Sequence, residues 1–175
     1  EVMRVDYEHW GLLADAKVAA SGPIGPRCVE FHAYDQRRGC KGRERCANHI
    51  DAGSLFTADI MLTSTADFEG GDLETSIDVA GKERVTTAHA FERGDCLVFL
   101  SHKHHAVSDV LSGRRAVCVI EFWQGGCCTA NHRCADGGVG RDPTCGNKEG
   151  DATYYSRFTQ EEIQCLSFVH LSEMI

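Results

Sequence analysis

Phe99-Leu-Ser-His-Lys-His-His-Ala-Val-Ser-Asp-Val-Leu-Ser-Gly-Arg-Arg-Ala-Val-Cys-Val-Ile-Glu-Phe-Trp123 is the stretch whose reading decides the fold. An apolar run ends in His102, His104 and His105. A polar turn around Ser112-Gly113 then delivers Arg115 to the head of a second apolar run. β-Branched and aromatic residues bounded by turn formers read as strands. One His at a strand end, with an Arg ten residues later, suits a metal ion beside an anionic co-substrate. The missing ligands have a candidate in His49-Ile50-Asp51. In an extended segment residues i and i+2 point the same way, so His49 and Asp51 can reach one ion from one side.

Working outward, the neighbouring segments repeat one pattern. Leu55–Thr63, Glu74–Val79, Glu83–Ala90 and Cys96–Leu100 read as strands, as do Val107–Val110 and Arg115–Trp123. Gly turns fall at Asp67-Phe-Glu-Gly-Gly-Asp72, Ala80-Gly81 and Arg93-Gly-Asp95. Many short strands at regular spacing indicate a mainly β protein of the jelly-roll kind. There is no βαβ alternation and no phosphate loop.

The flanks differ. Tyr7, Trp10, Leu13 and Val18 predict a helix over Val5–Ala20, ended by Ser21-Gly-Pro-Ile-Gly-Pro26. Cys28–Tyr34 alternates as a strand, with Val29, Phe31 and Ala33 on one face and Glu30 and His32 on the other. Gln36–Arg45 is a basic loop, either simply solvated or a rim that attracts an acidic substrate. Thr159-Gln-Glu-Glu162 is a capping box with Phe158 and Ile163 as its staple, predicting a helix over Gln160–Ser172. The chain divides into a helical flank (1–26), a jelly-roll core (27–124) and a Cys-rich loop with a C-terminal helix (125–175).

Composition bounds the function. A 175-residue chain buries roughly 70% of its unfolded surface, enough for a real core. The formal net charge of −8 argues against a general nucleic-acid binder, which needs clustered Lys and Arg. No apolar run approaches the ~20 residues of a membrane-spanning helix. The chain begins at Glu1, which reads as a trimmed start. Ten cysteines favour disulfides in a secretory lumen or outside the cell, with Cys40 and Cys46 placed to staple the basic loop. A cytoplasmic setting with buried thiols stays open, as does a zinc site built from the Cys127–Cys145 region and His132.

As an ordered set, His49-x-Asp51, Asp-Phe-Glu-Gly-Gly, Gly94-Asp-Cys-Leu-Val-Phe-Leu-Ser-His-Lys-His-His105 and Ser-Gly-Arg-Arg115 resemble the Fe(II)/2-oxoglutarate-dependent dioxygenases, specifically the prolyl 4-hydroxylase-like branch. The resemblance covers residues 27–124. It implies a double-stranded β-helix with iron held by His49, Asp51 and His105, and it selects His105 over His102 and His104. It implies that Arg115, not Arg114, binds the far carboxylate of 2-oxoglutarate, with Tyr34 and Thr57 as further co-substrate contacts. Two imidazoles and one carboxylate on one face of Fe(II) leave positions for 2-oxoglutarate and O2. The implied activity is hydroxylation of a C–H bond coupled to conversion of 2-oxoglutarate to succinate and CO2, with ascorbate as reductant. A prolyl residue in a peptide or protein is the leading substrate. Another residue, a small metabolite, or a catalytically silent secreted jelly-roll binding module are the alternatives. Asp51 disfavours a halogenase. Glu121, six residues after Arg115, disfavours the nucleic-acid demethylase branch, which carries a second Arg there.

Overall fold

The computed structural model describes residues 2–14, 24–36, 44–51, 54–77, 85–124 and 169–170. Among the described residues nine strands carry the fold: β1 (Ile24–Asp35), β2 (Glu44–His49), β3 (Phe56–Met61), β4 (Phe68–Gly70), β5 (Leu73–Ile77), β6 (Val85–His89), β7 (Cys96–Leu100), β8 (His105–Gln124) and β9 (Val169–His170). Every ladder is antiparallel. The sheet curls into the expected jelly roll, and no described helix is long and apolar enough to cross a membrane.

Strand β8 organises both layers. Its first residues pair with β2 and β5, its middle with β4, and its second half with β1 and β3. Ten residues of straight strand would span about 33 Å. Yet Val107 and Val117 share one core cluster with Met61, Leu73, Phe91, Leu97 and Phe99. The strand must therefore fold over between them. Gly113 makes the bend, at φ 76°. A Cβ there would run into the Asp67 carbonyl and lie 2.8 Å from Phe68 Cα. The expected turn at Ser112-Gly113 is thus a kink inside one continuous strand, because β4 pairs with both residues, Phe68 with Gly113 and Glu69 with Ser112.

The outer face of the β3–β7 pair is covered by the N-terminal segment. Instead of the expected long helix, the chain makes a helical turn over Val2–Val5, a π turn over Asp6–Trp10 and a 3-10 turn over Leu12–Ala14. Gly11 at φ 66° ends the π turn, and Asp6 closes it by accepting from the amides of Leu12 and Leu13 at 2.9 and 2.8 Å. Trp10 stacks on Phe56 with ring centroids 5.4 Å apart, and Leu12 packs with Leu55, Phe56 and Leu100. Residues 15–20 of the expected helix lie outside the described residues.

Two other expectations change, and the inward face of β1 is decided. Strand β1 begins at Ile24, inside the expected break. Pro26 is tolerated because the β1–β8 register shifts between Pro26 and Cys28, a bulge that needs no amide from proline. The apolar face of β1 points outward, with Val29 and Phe31 53% and 61% exposed. His32 and Tyr34, on the other face, line an interior pocket. At the C-terminus, Val169 and His170 pair with β7, so the expected helix does not run through to Ser172. Hydrogen bonding to an open edge outcompetes the helical turn there. The rest of that helix, the cysteines from Cys127 onward and most of the basic loop lie outside the described residues.

Cys96 and Cys118 are thiols, and Cys40 of the expected Cys40–Cys46 staple lies outside the described residues. Among the described residues no disulfide supports the secretory expectation.

Gly113→Ala forces a Cβ into the β4 backbone at a left-handed φ. The expected loss is about 1–3 kcal/mol, read as a lowered denaturant midpoint.

Candidate metal centre

His49 ends β2 and His105 begins β8, and the two are direct cross-strand partners. Their ring centroids are 4.3 Å apart. Asp51 follows β2, where its amide is held by the Ser101 carbonyl at 2.8 Å. Its Oδ1 lies 3.4 Å from His49 Nε2 and its Oδ2 lies 3.5 Å from His105 Nε2. Each of the three residues offers one ligand atom, and these atoms all fall within 4.8 Å of one another. Asp51 and His105 are buried and His49 is partly open, so the site has a dry wall and an approach.

The surroundings orient these groups. His105 Nδ1 is 2.9 Å from the Lys103 carbonyl, which requires an N–H on that nitrogen and leaves Nε2 as a lone-pair donor. Cys46 Sγ is 3.6 Å from His49 Nδ1, so the Nε2 of that ring also faces the centre. Thr57 donates to Asp51 Oδ2 at 2.7 Å and is itself bonded to Ser101 Oγ at 2.9 Å. Thr57, expected as a co-substrate contact, thus has its hydroxyl on the carboxylate of the cluster. The flanking histidines stand apart. His104 meets Asn48, while burial depresses the pKa of His102 to about 4. His89 Nε2 is 2.7 Å from Thr75 Oγ1, a structural place.

Arg115 is fully buried, whereas Arg114 is 40% exposed and lies 4.0 Å from Asp35. The Arg115 guanidinium sits over the Tyr34 ring at 5.6 Å and near Phe91 at 6.0 Å. Tyr34 is its cross-strand partner in β1. Among the described residues, Nε and both terminal nitrogens of Arg115 make no hydrogen bond. A guanidinium keeps its charge. Three unmatched buried donors on a fixed cation are therefore strained for want of an anion. Gly71 makes room for the side chain: at φ 69°, a Cβ there would come within 2.8 Å of Arg115 Cδ. The second glycine of the Asp67–Asp72 motif thus fits the Arg directly.

One residue was not singled out from sequence. β3 turns Phe56 and Ala58 toward the N-terminal segment and Thr57, Asp59 and Met61 inward. Asp59 is buried and lines the same pocket as Tyr34, Cys46, His49, Asp51 and His105. Burial pushes its pKa up to about 7, against the opposing pull of Arg115. An acidic residue two places from Thr57 in an apolar strand was the available clue.

No protein-family model matches this chain, and no curated protein does. Solved structures share its general shape. A 2OG-Fe(II) oxygenase family oxidoreductase from Burkholderia pseudomallei is 18% identical, with a TM-score of 0.47, over 66% of this chain and 56% of its own. The non-heme alpha ketoglutarate dependent epimerase SnoN from nogalamycin biosynthesis is 19% identical, with a TM-score of 0.46, over 70% and 56%. A Pseudomonas putida prolyl-4-hydroxylase is 20% identical, with a TM-score of 0.39, over 56% and 52%. The chain spans little more than half the length of each.

Two outcomes are expected. Thr57→Val lowers affinity for a divalent ion about 10–100-fold, read by calorimetric titration with Mn(II), because Asp51 loses its orienting donor. Asp59 gives the metal-free fold a stability that falls as pH rises from the ordinary carboxylate value of 3.8 to about 7, since in that window only the folded state keeps the proton. Asp59→Asn flattens this part of the profile, measured by denaturant unfolding between about pH 4 and about pH 8.

Proposed function

We propose that this chain is an Fe(II)- and 2-oxoglutarate-dependent dioxygenase that hydroxylates a C–H bond, with a prolyl residue of a peptide or protein as its substrate. The observation that carries the reading is a His-Asp-His cluster in the same fold as a buried Arg that lacks a counter-anion. The donor set fits the metal: two neutral imidazoles and one carboxylate, the facial arrangement of non-heme iron sites. The site also fits a diacid, since a single ligand carboxylate leaves a 2+ ion with net positive charge and Arg115 offers a second anion site.

In this reading His49 Nε2, Asp51 and His105 Nε2 hold the iron. Arg115 binds the far carboxylate of 2-oxoglutarate, with the Tyr34 ring against its guanidinium. Thr57 and Ser101 aim Asp51, and the Lys103 carbonyl fixes the His105 tautomer. Val107, Val117 and Val119 wall the pocket and keep water from it. When bound, iron, 2-oxoglutarate and O2 supply the oxidising chemistry, yielding succinate and CO2 as one oxygen atom enters the substrate. Ascorbate serves as the reductant that keeps iron ferrous.

The test is succinate release with Fe(II), ascorbate and a Pro-rich peptide, alongside mass spectrometry of the peptide. Peptide-stimulated turnover that vanishes in His49→Ala is expected. Arg115→Gln should weaken 2-oxoglutarate binding about tenfold to a hundredfold, the worth of one charge-assisted contact. A folded chain that binds no iron and releases no succinate would instead identify a silent binding module. Turnover without gain of one oxygen in the peptide would remove the prolyl substrate.

A further inference from the structure

The inward face of β3 places a second ionisable group in the pocket. Asp59 is buried there, and among the described residues no hydrogen bond or ion pair holds its carboxyl. Arg115 is the opposing charge that acts on it most strongly, yet the two are not bonded. Asp59 lines the pocket beside Tyr34, and the Arg115 guanidinium lies over the ring of that tyrosine, so a group entering there meets an unmatched carboxyl close to a fixed cation. A carboxylate does so if Arg115 supplies charge and Asp59 supplies a proton. An amine or a second cation does not, because it would leave Arg115 unmatched.

We propose, building on the reading above, that Asp59 is the second contact for the far carboxylate of 2-oxoglutarate and binds it as a neutral acid, donating an O–H while Arg115 supplies the charge. The other charged groups acting on Asp59 are Asp51 and His49 at the metal cluster and Glu121 on β8. Cys96 on β7 feels Asp59 in turn, and its thiol is held up to about 11, so it stays neutral across the working range. His32 and Tyr34 on β1, Cys46 on β2 and His105 on β8 complete the polar lining. Both acidic neighbours favour the protonated form of Asp59, and burial favours it most. An incoming dianion favours it further. Co-substrate affinity then falls as pH rises through about 7, because binding takes up a proton.

The experiment is calorimetric titration of the full chain, saturated with Mn(II), with 2-oxoglutarate at about pH 6.5 and about pH 8.5. The Kd of the unaltered chain should rise about tenfold or more over that interval. Asp59→Asn keeps a donor without a titrating proton and should be nearly flat. Asp59→Leu should bind about tenfold weaker than the unaltered chain at the lower pH. With 2-oxobutanoate, which lacks the far carboxylate, the three proteins should behave alike. The proposal is overturned by an Asn variant that keeps the full pH dependence. It is also overturned by a Leu variant as tight as the unaltered chain at the lower pH, since Asp59 would then only repel. Equal pH dependence for 2-oxobutanoate would overturn it too. If the unaltered chain binds Mn(II) but no 2-oxoglutarate at either pH, the co-substrate reading itself falls, and this inference with it.

Discussion

The bend in β8 is the constraint on which the rest depends. A straight strand cannot bring residue 107 and residue 117 to one pocket, yet both line it. Gly113 is the hinge, and β4 lies against it so closely that no side chain fits. The bend lets one strand begin in the layer that carries His105 and continue into the layer that carries Arg115. One member of the His-Asp-His cluster, His105, and the buried Arg115 thereby belong to one continuous piece of backbone. Their spacing is set by main-chain hydrogen bonds rather than by loop conformation, a rigidity that a reactive site needs.

The interior carries more charge than stability alone would favour. Arg27 and Glu121 form a fully buried pair at 2.8 Å, with Ser54 donating to the same carboxylate at 2.6 Å. Such pairs rarely repay their desolvation, so their use is better sought in positioning. Here the pair ties the β1 bulge and the segment before β3 to β8, on the strand that also bears Arg115. Arg115 and Asp59 are buried without any such bond between them. The difference separates roles: Arg27 and Glu121 are bonded to each other, whereas Asp59 lines the pocket and Arg115, over the Tyr34 ring at its edge, has no hydrogen bond among the described residues.

Much of the site was legible because its chemistry demands rare residues in fixed order. His49-x-Asp51, His105 and Arg115 are separated by long stretches, and the structure brings the first three together and buries the fourth. The choice of Arg115 over Arg114 comes from the family resemblance, and the burial of the two side chains agrees with it. Other features were not legible for physical reasons. Ser112-Gly113 has the composition of a turn, and only the pairing of β4 makes it a kink. The alternation of β1 shows two faces but not which one is inside. In most strands the apolar face would be, but here the pocket claims His32 and Tyr34. Asp59 sits in an apolar strand, where a lone acid has no local meaning until the opposite wall is known. Val169 and His170 follow a good capping box, yet the edge of β7 takes them as a strand.

The central claim is that residues 49, 51 and 105 converge on one iron beside an anion site at Arg115. The most direct measurement is an anaerobic titration of the purified chain with Fe(II) and then 2-oxoglutarate, followed by visible absorption. The account predicts one iron per chain and a charge-transfer band that appears only when both are present and is absent in His105→Ala. A folded chain that takes up no stoichiometric iron, or shows no band with both present, would contradict it.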